Sequence, residues 1–168
     1  MDTDLTEPVA VTRIINAPAS AIFTILVDPT KHPLFDGSDM LREGAANDVV
    51  TSVGDIFVMK IHNEEFGDYE MNNHVVDYEV DKRIGWAPTR AVGHPEGASA
   101  LPIDAPAEIV WSFVLRTDGP DATVVTEMYD CTHAPEDLGR ILKYGTRWVE
   151  SMTKSLERLD ELCTGVTD

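Results

Sequence analysis

The chain has 168 residues, 43% hydrophobic and 26% charged, an ordinary globular composition and enough chain to bury a sizeable core without staples. Thirty acidic residues against thirteen basic ones leave a formal net charge of −17. Such a field repels phosphate backbones and anionic lipid surfaces, which argues against nucleic-acid binding and against polybasic membrane attachment.

No apolar run approaches the roughly 18 residues that a membrane span needs. The start, Met1-Asp2-Thr3-Asp4-Leu5, lacks the basic-then-apolar plan of a signal peptide. With Cys131 and Cys163 as its two cysteines, the chain is expected to be cytoplasmic, with reduced thiols and no integral membrane association. Its length suggests one domain over 1–168.

Glu7 to Ile15 is rich in Val, Ile and Thr and predicts a strand. Asn16-Ala17-Pro18 stops it, with Asn16 placed to cap a helix and Pro18 suited to a first turn. Ala21, Ile22, Ile25 and Leu26 follow at helical spacing, and Asp28-Pro29 ends the helix. Thr30 to Phe35 reads as a second short helix or a turn. From Met40 to about Thr132 the period becomes two. Ile56–His62 places Phe57, Met59 and Ile61 on one face, and Tyr69–Val80 places Val76, Tyr78 and Val80 together. Arg83–Ala91 pairs Ile84 with Trp86, and Glu108–Arg116 aligns Ile109, Trp111, Phe113 and Leu115. Asp118-Gly119-Pro120-Asp121 is a hairpin turn into the strand Thr123–Thr132. The stretch Val92–Ala107, rich in Pro, Gly and Ala, is long for a hairpin loop and is placed either as a cover over an opening or as a surface loop. Pro135 to Leu162 predicts one amphipathic helix carrying Leu138, Ile141, Leu142, Trp148, Val149, Met152, Leu156, Leu159 and Leu162, with Gly165 just past its end. At 1.5 Å per residue it would be roughly 40 Å long.

A long helix with one apolar stripe needs an apolar surface, and a curved antiparallel sheet supplies it. The predicted class is therefore α+β, a curved sheet wrapped around a long C-terminal helix. Particular motifs agree. Asn16-Ala17-Pro18, Asp28-Pro29 and His32-Pro33-Leu34-Phe35-Asp36-Gly37-Ser38 resemble the start of the SRPBCC or START-like superfamily. So do Asn73-His74-Val75-Val76-Asp77-Tyr78-Glu79 leading to Ile84-Gly85-Trp86, and Thr123-Val124-Val125-Thr126-Glu127 leading to Tyr129-Asp130. The chain is particularly similar to bacterial proteins described as polyketide cyclase/dehydrase. The resemblance spans nearly the whole chain. It implies a helix-grip fold with a deep cavity between sheet and C-terminal helix. It does not imply one reaction, because the superfamily holds lipid carriers, receptors and cyclases.

The alternation proposes a ligand-lining set: Phe57, Met59, Trp86, Trp111, Phe113 and Tyr129 from the strands, with Trp148 and Met152 from the helix. Asn72 and His74 share a face with Val76, and would bring two hydrogen-bonding groups to the ligand if that face looks inward. Glu127 shares a face with Val125, Tyr129 and Cys131, while Thr126, Met128 and Asp130 occupy the other. Periodicity does not choose between them. Inward, Glu127 is a general acid or base; an ion-paired or exposed Glu127 is the commoner outcome. His32 falls near the expected cavity mouth. Arg147 is placed to reach a ligand carboxylate or Glu127, a surface ion pair being commoner. His62, Glu64 and Glu65 lie close together without metal-site spacing, and His133 stands alone, so no metal and no cofactor are expected. Walker, dinucleotide, nucleophile-elbow and Cys-x-x-Cys motifs are absent.

Three functions follow as expectations. The first is a carrier or sensor of a small hydrophobic or amphipathic molecule. The second is a ring cyclase, aromatase or dehydratase using Glu127 and His74, with Asn72 and Trp86 beside them. The third is a protein-interaction or regulatory domain using the outer sheet face, for instance as a homodimer.

Overall fold

The computed structural model describes residues 8–42, 48–64, 67–90, 109–134 and 143–165. In chain order these form β1 (Val9–Ile15), α1 (Ala19–Leu26), α2 (His32–Phe35), β2 (Ile56–Asn63), β3 (Gly67–Glu79), β4 (Arg83–Arg90), β5 (Val110–Thr117), β6 (Thr123–Asp130) and α3 (Val149–Thr164). The six strands make one antiparallel sheet in the order β1-β6-β5-β4-β3-β2. The first strand thus lies beside the last, and α3 crosses the same side of the sheet that α1 and α2 cover. This is an α+β helix-grip architecture. Among the described residues no helix is long and apolar enough to cross a membrane.

Register defines the inner face. Val11 lies opposite Glu127, which lies opposite Phe113, which lies opposite Ile84. Val75 faces Trp86, and Phe57 faces Asn73. Directly opposed residues share a face, so these side chains all point toward the helices. Leu156 and Leu159 of α3 are fully buried against Ile15, Phe35 and Val125 in one apolar cluster. Arg13 on β1 donates from Nε to Asp160 Oδ2 on α3 at 2.8 Å, fixing the helix across the sheet edge.

Three expectations change. The first concerns α1, whose N-cap is Pro18 and not Asn16, and no side chain caps it. The extended Pro18 (ψ 150°) already sets the entry, so Asn16 stays exposed outside the helix. In β3, the register shifts between Val75 and Asp77. The extra residue, Val76, points outward at 43% exposure, while Tyr78 turns in to meet Phe23 edge-on at 5.6 Å. Val80 is exposed as well, so the expected Val76–Tyr78–Val80 row does not exist.

The third change is the C-terminal helix. A 3-10 turn, Lys143–Trp148, precedes α3, and the α-helix proper covers 16 residues, or roughly 24 Å. The cause is Gly145, at φ +83°, which no α-helix can pass through. Val149 and Leu162 are exposed, and Ser155 takes a buried place in the stripe. Leu138, Ile141 and Leu142 lie outside the described residues, as does the Val92–Ala107 stretch.

Gly145 also makes a tight contact. A Cβ there would stand 2.3 Å from Tyr129 Cδ1. Gly145→Ala is therefore expected to cost about 2 kcal/mol, from overpacking and backbone strain together. It should also disturb the neighbouring Trp148, so urea unfolding read by tryptophan fluorescence checks both effects.

Candidate functional site

The inner face carries two aromatic groups. In the first, His32 stacks on Trp86 (5.2 Å between centroids, 26° between planes) and meets Phe57 edge-on at 5.4 Å. Phe113 completes it, at 6.0 Å from both Trp86 and Phe35. In the second, Trp111 meets Tyr129 at 4.5 Å and Trp148 at 5.7 Å, with Met152, Ile109 and Cys131 packed around them. Phe57, Met59, Trp86, Trp111, Phe113, Tyr129, Trp148 and Met152, the residues expected to line a ligand, all pack on the inner side, divided between these groups. Trp86, Trp111 and Trp148 keep partial exposure although they pack on the inner side.

Glu127 stands on the row between the two groups. Its cross-strand neighbours are Phe113 and Val11, and along β6 it lies between Val125 and Tyr129. It is only 6% exposed, and among the described residues Oε2 has no hydrogen-bond partner. Burial pushes its carboxyl well above the usual range, and the nearby Asp36 carboxylate pushes it further. The commoner outcome, an ion-paired or exposed glutamate, is not the one found. Arg147 is exposed instead, with its guanidinium 4.9 Å from the Trp148 ring centroid. Asp130 points to the other side and caps the following turn, accepting from Thr132 N (2.9 Å) and Oγ1 (2.6 Å).

A second buried polar atom is left over. Among the described residues the Trp148 indole N–H has no acceptor in hydrogen-bonding geometry, although it stands near enough to the Tyr129 hydroxyl to favour the phenolate slightly. Burial wins at Tyr129, and its phenol is raised and stays neutral. Buried polar atoms without partners are rare, and each asks for an explanation.

His32 is not at a mouth. It is 3% exposed, and its Nε2–H donates to the Leu26 carbonyl at 2.8 Å. Burial lowers its pKa, so the ring is neutral and acts as a stacking platform. Asn72, His74 and Val76 are corrected outright: they lie on the outer face of β3, because Met71, Asn73 and Val75 take the inner positions. His74 Nε2 bonds Thr89 Oγ1 at 2.9 Å across the strand pair. Periodicity does not single out Asn73, buried opposite Phe57, or Phe35, which packs beside His32. Met71 and Val75, two positions either side of Asn73, were the available signal. Among the described residues no cluster of three metal-ligating side chains occurs. His62 pairs with the exposed Asp68 at 2.7 Å, Glu64 is exposed, and Glu65 lies outside the described residues.

Comparison with solved structures supports the architecture. A protein from Arthrobacter aurescens, solved by NMR, superposes with a TM-score of 0.68 at 11% identity, covering 100% of this chain and 92% of that one. A Mycobacterium smegmatis crystal structure gives 0.64 at 16% identity, with 99% and 96% covered. One from Nitrosomonas europaea gives 0.63 at 14%, with 96% of each chain covered. No family model and no curated protein matches the chain. At these identities the likeness establishes the fold, and the function has to be argued from the site itself.

Proposed function

We propose that the protein binds a small, largely apolar or amphipathic molecule between the inner sheet face and α3, as a carrier or sensor. The observation that carries this reading is Glu127: a buried carboxyl, its Oε2 unpartnered, set between two aromatic groups. A fold that left this arrangement for packing alone would carry its cost without return, whereas ligand sites combine apolar walls with a few such polar atoms. The assignment to the START-like superfamily, suggested by the motifs, fits the same use of the fold.

Native mass spectrometry of the purified protein, followed by organic extraction, tests it. A retained apolar molecule is expected. An empty protein that also fails to bind N-phenyl-1-naphthylamine would sink the proposal. With that probe, Asn72→Ala and His74→Ala are expected to keep affinity within about twofold. Trp86→Ala should weaken it about tenfold, the 1.4 kcal/mol scale of one aromatic contact. Titration by probe fluorescence, with folding checked by circular dichroism, reads both.

A second reading, a ring cyclase or dehydratase, has one observation in its favour. Glu127 is protonated at a pH where ordinary glutamates are not, the state a general acid needs. His74 on the outer face is no part of that machinery.

A further inference from the structure

We infer that this site selects ligands whose polar end is a hydrogen-bond donor, such as a hydroxyl or phenol, received by Glu127 Oε2, and that it discriminates against carboxylates. The inference rests on the ligand-binding reading above and names the ligand's chemistry.

Three observations lead there. The first is the leftover atom itself. Oε2 is buried and has no partner among the described residues, so a ligand donor that reaches it makes a hydrogen bond otherwise left unmade. The second is what surrounds it. Glu127 sits between Phe113 and Val11 across the strands, so no neighbouring side chain on that row competes for Oε2. The third is charge. A ligand carboxylate entering here would meet Glu127 and the field of the nearby Asp36, in a chain whose net charge is −17. Arg13, the inward-facing cation of β1, is already held by Asp160 at 2.8 Å. Arg147 is exposed with its guanidinium 4.9 Å from the Trp148 ring centroid, and it acts on Tyr129, whereas the charge felt by Glu127 is that of Asp36. Asp36 cannot relieve the anion by turning away. Its carboxylate is fixed by Ser38 N, Met40 N and Leu41 N at 3.0–3.1 Å.

The carboxyl is suited to this role in either protonation state. Ionised, it accepts and cannot donate. Protonated, it still offers an oxygen to a donor, and although its own O–H can then meet a carboxylate, it brings no positive charge with it. Neither state neutralises an incoming carboxylate.

The test is equilibrium dialysis of the full chain with naphthalene, 2-naphthol and 2-naphthoate, three compounds sharing one apolar body. Naphthalene is expected to bind, 2-naphthol to bind about tenfold more tightly, and 2-naphthoate at least tenfold more weakly than naphthalene. In Glu127→Leu the preference for 2-naphthol over naphthalene should vanish while naphthalene binding persists. If naphthalene binds and 2-naphthoate binds as well as 2-naphthol, the selectivity inference is overturned and the binding reading stands. Should none of the three bind, both fall. The wild-type ratios decide the matter even where Glu127→Leu fails to fold.

Discussion

Glu127→Gln is expected to be more stable than the wild type at pH 8, by about 2 kcal/mol, the cost of burying an unpartnered ionised group. The sign follows from linkage. Burial raises the folded-state pKa of Glu127 above its unfolded value of 4.5, so the folded protein holds the proton where the unfolded chain has lost it. Stability from this group is therefore full below pH 4.5 and is lost as pH rises through the folded value. Glutamine has no proton to lose. Its difference from the wild type should be small at pH 4.5, grow with pH, and level off above the folded pKa. Other carboxylates tilt the opposite way. Asp39 is held below the usual range by its hydrogen bond to Arg158, and Asp55 by the Thr51 N–H. Both remain in the variant and cancel in the difference. Urea unfolding of the two proteins from pH 4.5 to 8 reads the curve directly. A difference that stays flat with pH would show that Glu127 ionises normally in the folded protein. Apolar replacement should go further in the same direction, since Glu127→Leu removes both oxygens from the row between Phe113 and Val11.

Much of this site could be read from the sequence, and the failures share a cause. Phe57, Met59 and Ile61, and Trp111, Phe113 and Leu115, alternate without interruption, and each set lands on the inner face as local periodicity says. In β3 the same rule was applied across Val76, where one extra residue reverses parity. Counting back from the inward Tyr78 without the bulge places Asn72 and His74 inside, whereas Met71 and Val75, upstream of it, place Asn73 there. Gly145 broke the predicted helix in the same local way, and its signal was visible as a glycine amid a periodic run. Glu127 is different in kind. Both faces of β6 are mixed in polarity, so nothing local decides. The decision comes from pairing with Val11 of β1 and Phe113 of β5, partners that only the assembled sheet supplies. His32 is buried for the same nonlocal reason, its stacking on Trp86.

Gly37→Ala should be among the most damaging substitutions in the chain, costing about 3 kcal/mol by overpacking. The loop after α2 runs directly over the backbone of α3. A Cβ on Gly37 would stand 2.1 Å from the Ser151 carbonyl oxygen, 2.7 Å from Lys154 Cβ and 2.7 Å from Ser155 N. Two of those three atoms belong to helix backbone and cannot swing aside. The Gly37 N–H also donates to Ser155 Oγ at 2.8 Å, and that hydroxyl donates on to the Ser151 carbonyl at 3.0 Å. Displacing the loop would therefore break a hydrogen bond as well as open a gap. Arg158 reaches from α3 to the Asp36 carbonyl and, at 2.8 Å, to Asp39 Oδ1, so the same loop is pinned on both sides of Gly37. Gly119→Ala is the control. Gly119, unlike Gly37, has a positive φ, +89°, but nothing stands within 4 Å of its Cβ position. Its loss should be about 1 kcal/mol, the cost of backbone strain alone. For a chain of this size the two should separate by roughly 4–8 °C in Tm. Thermal unfolding followed by circular dichroism checks the gap. Equal losses would mean that the α2–α3 junction is looser than its geometry. The consequence reaches the ligand, because His32 and Phe35 ride on α2 and hold Trp86 and Phe113 in place. Gly37→Ala protein that remains folded should therefore bind N-phenyl-1-naphthylamine more weakly, while Gly119→Ala should not.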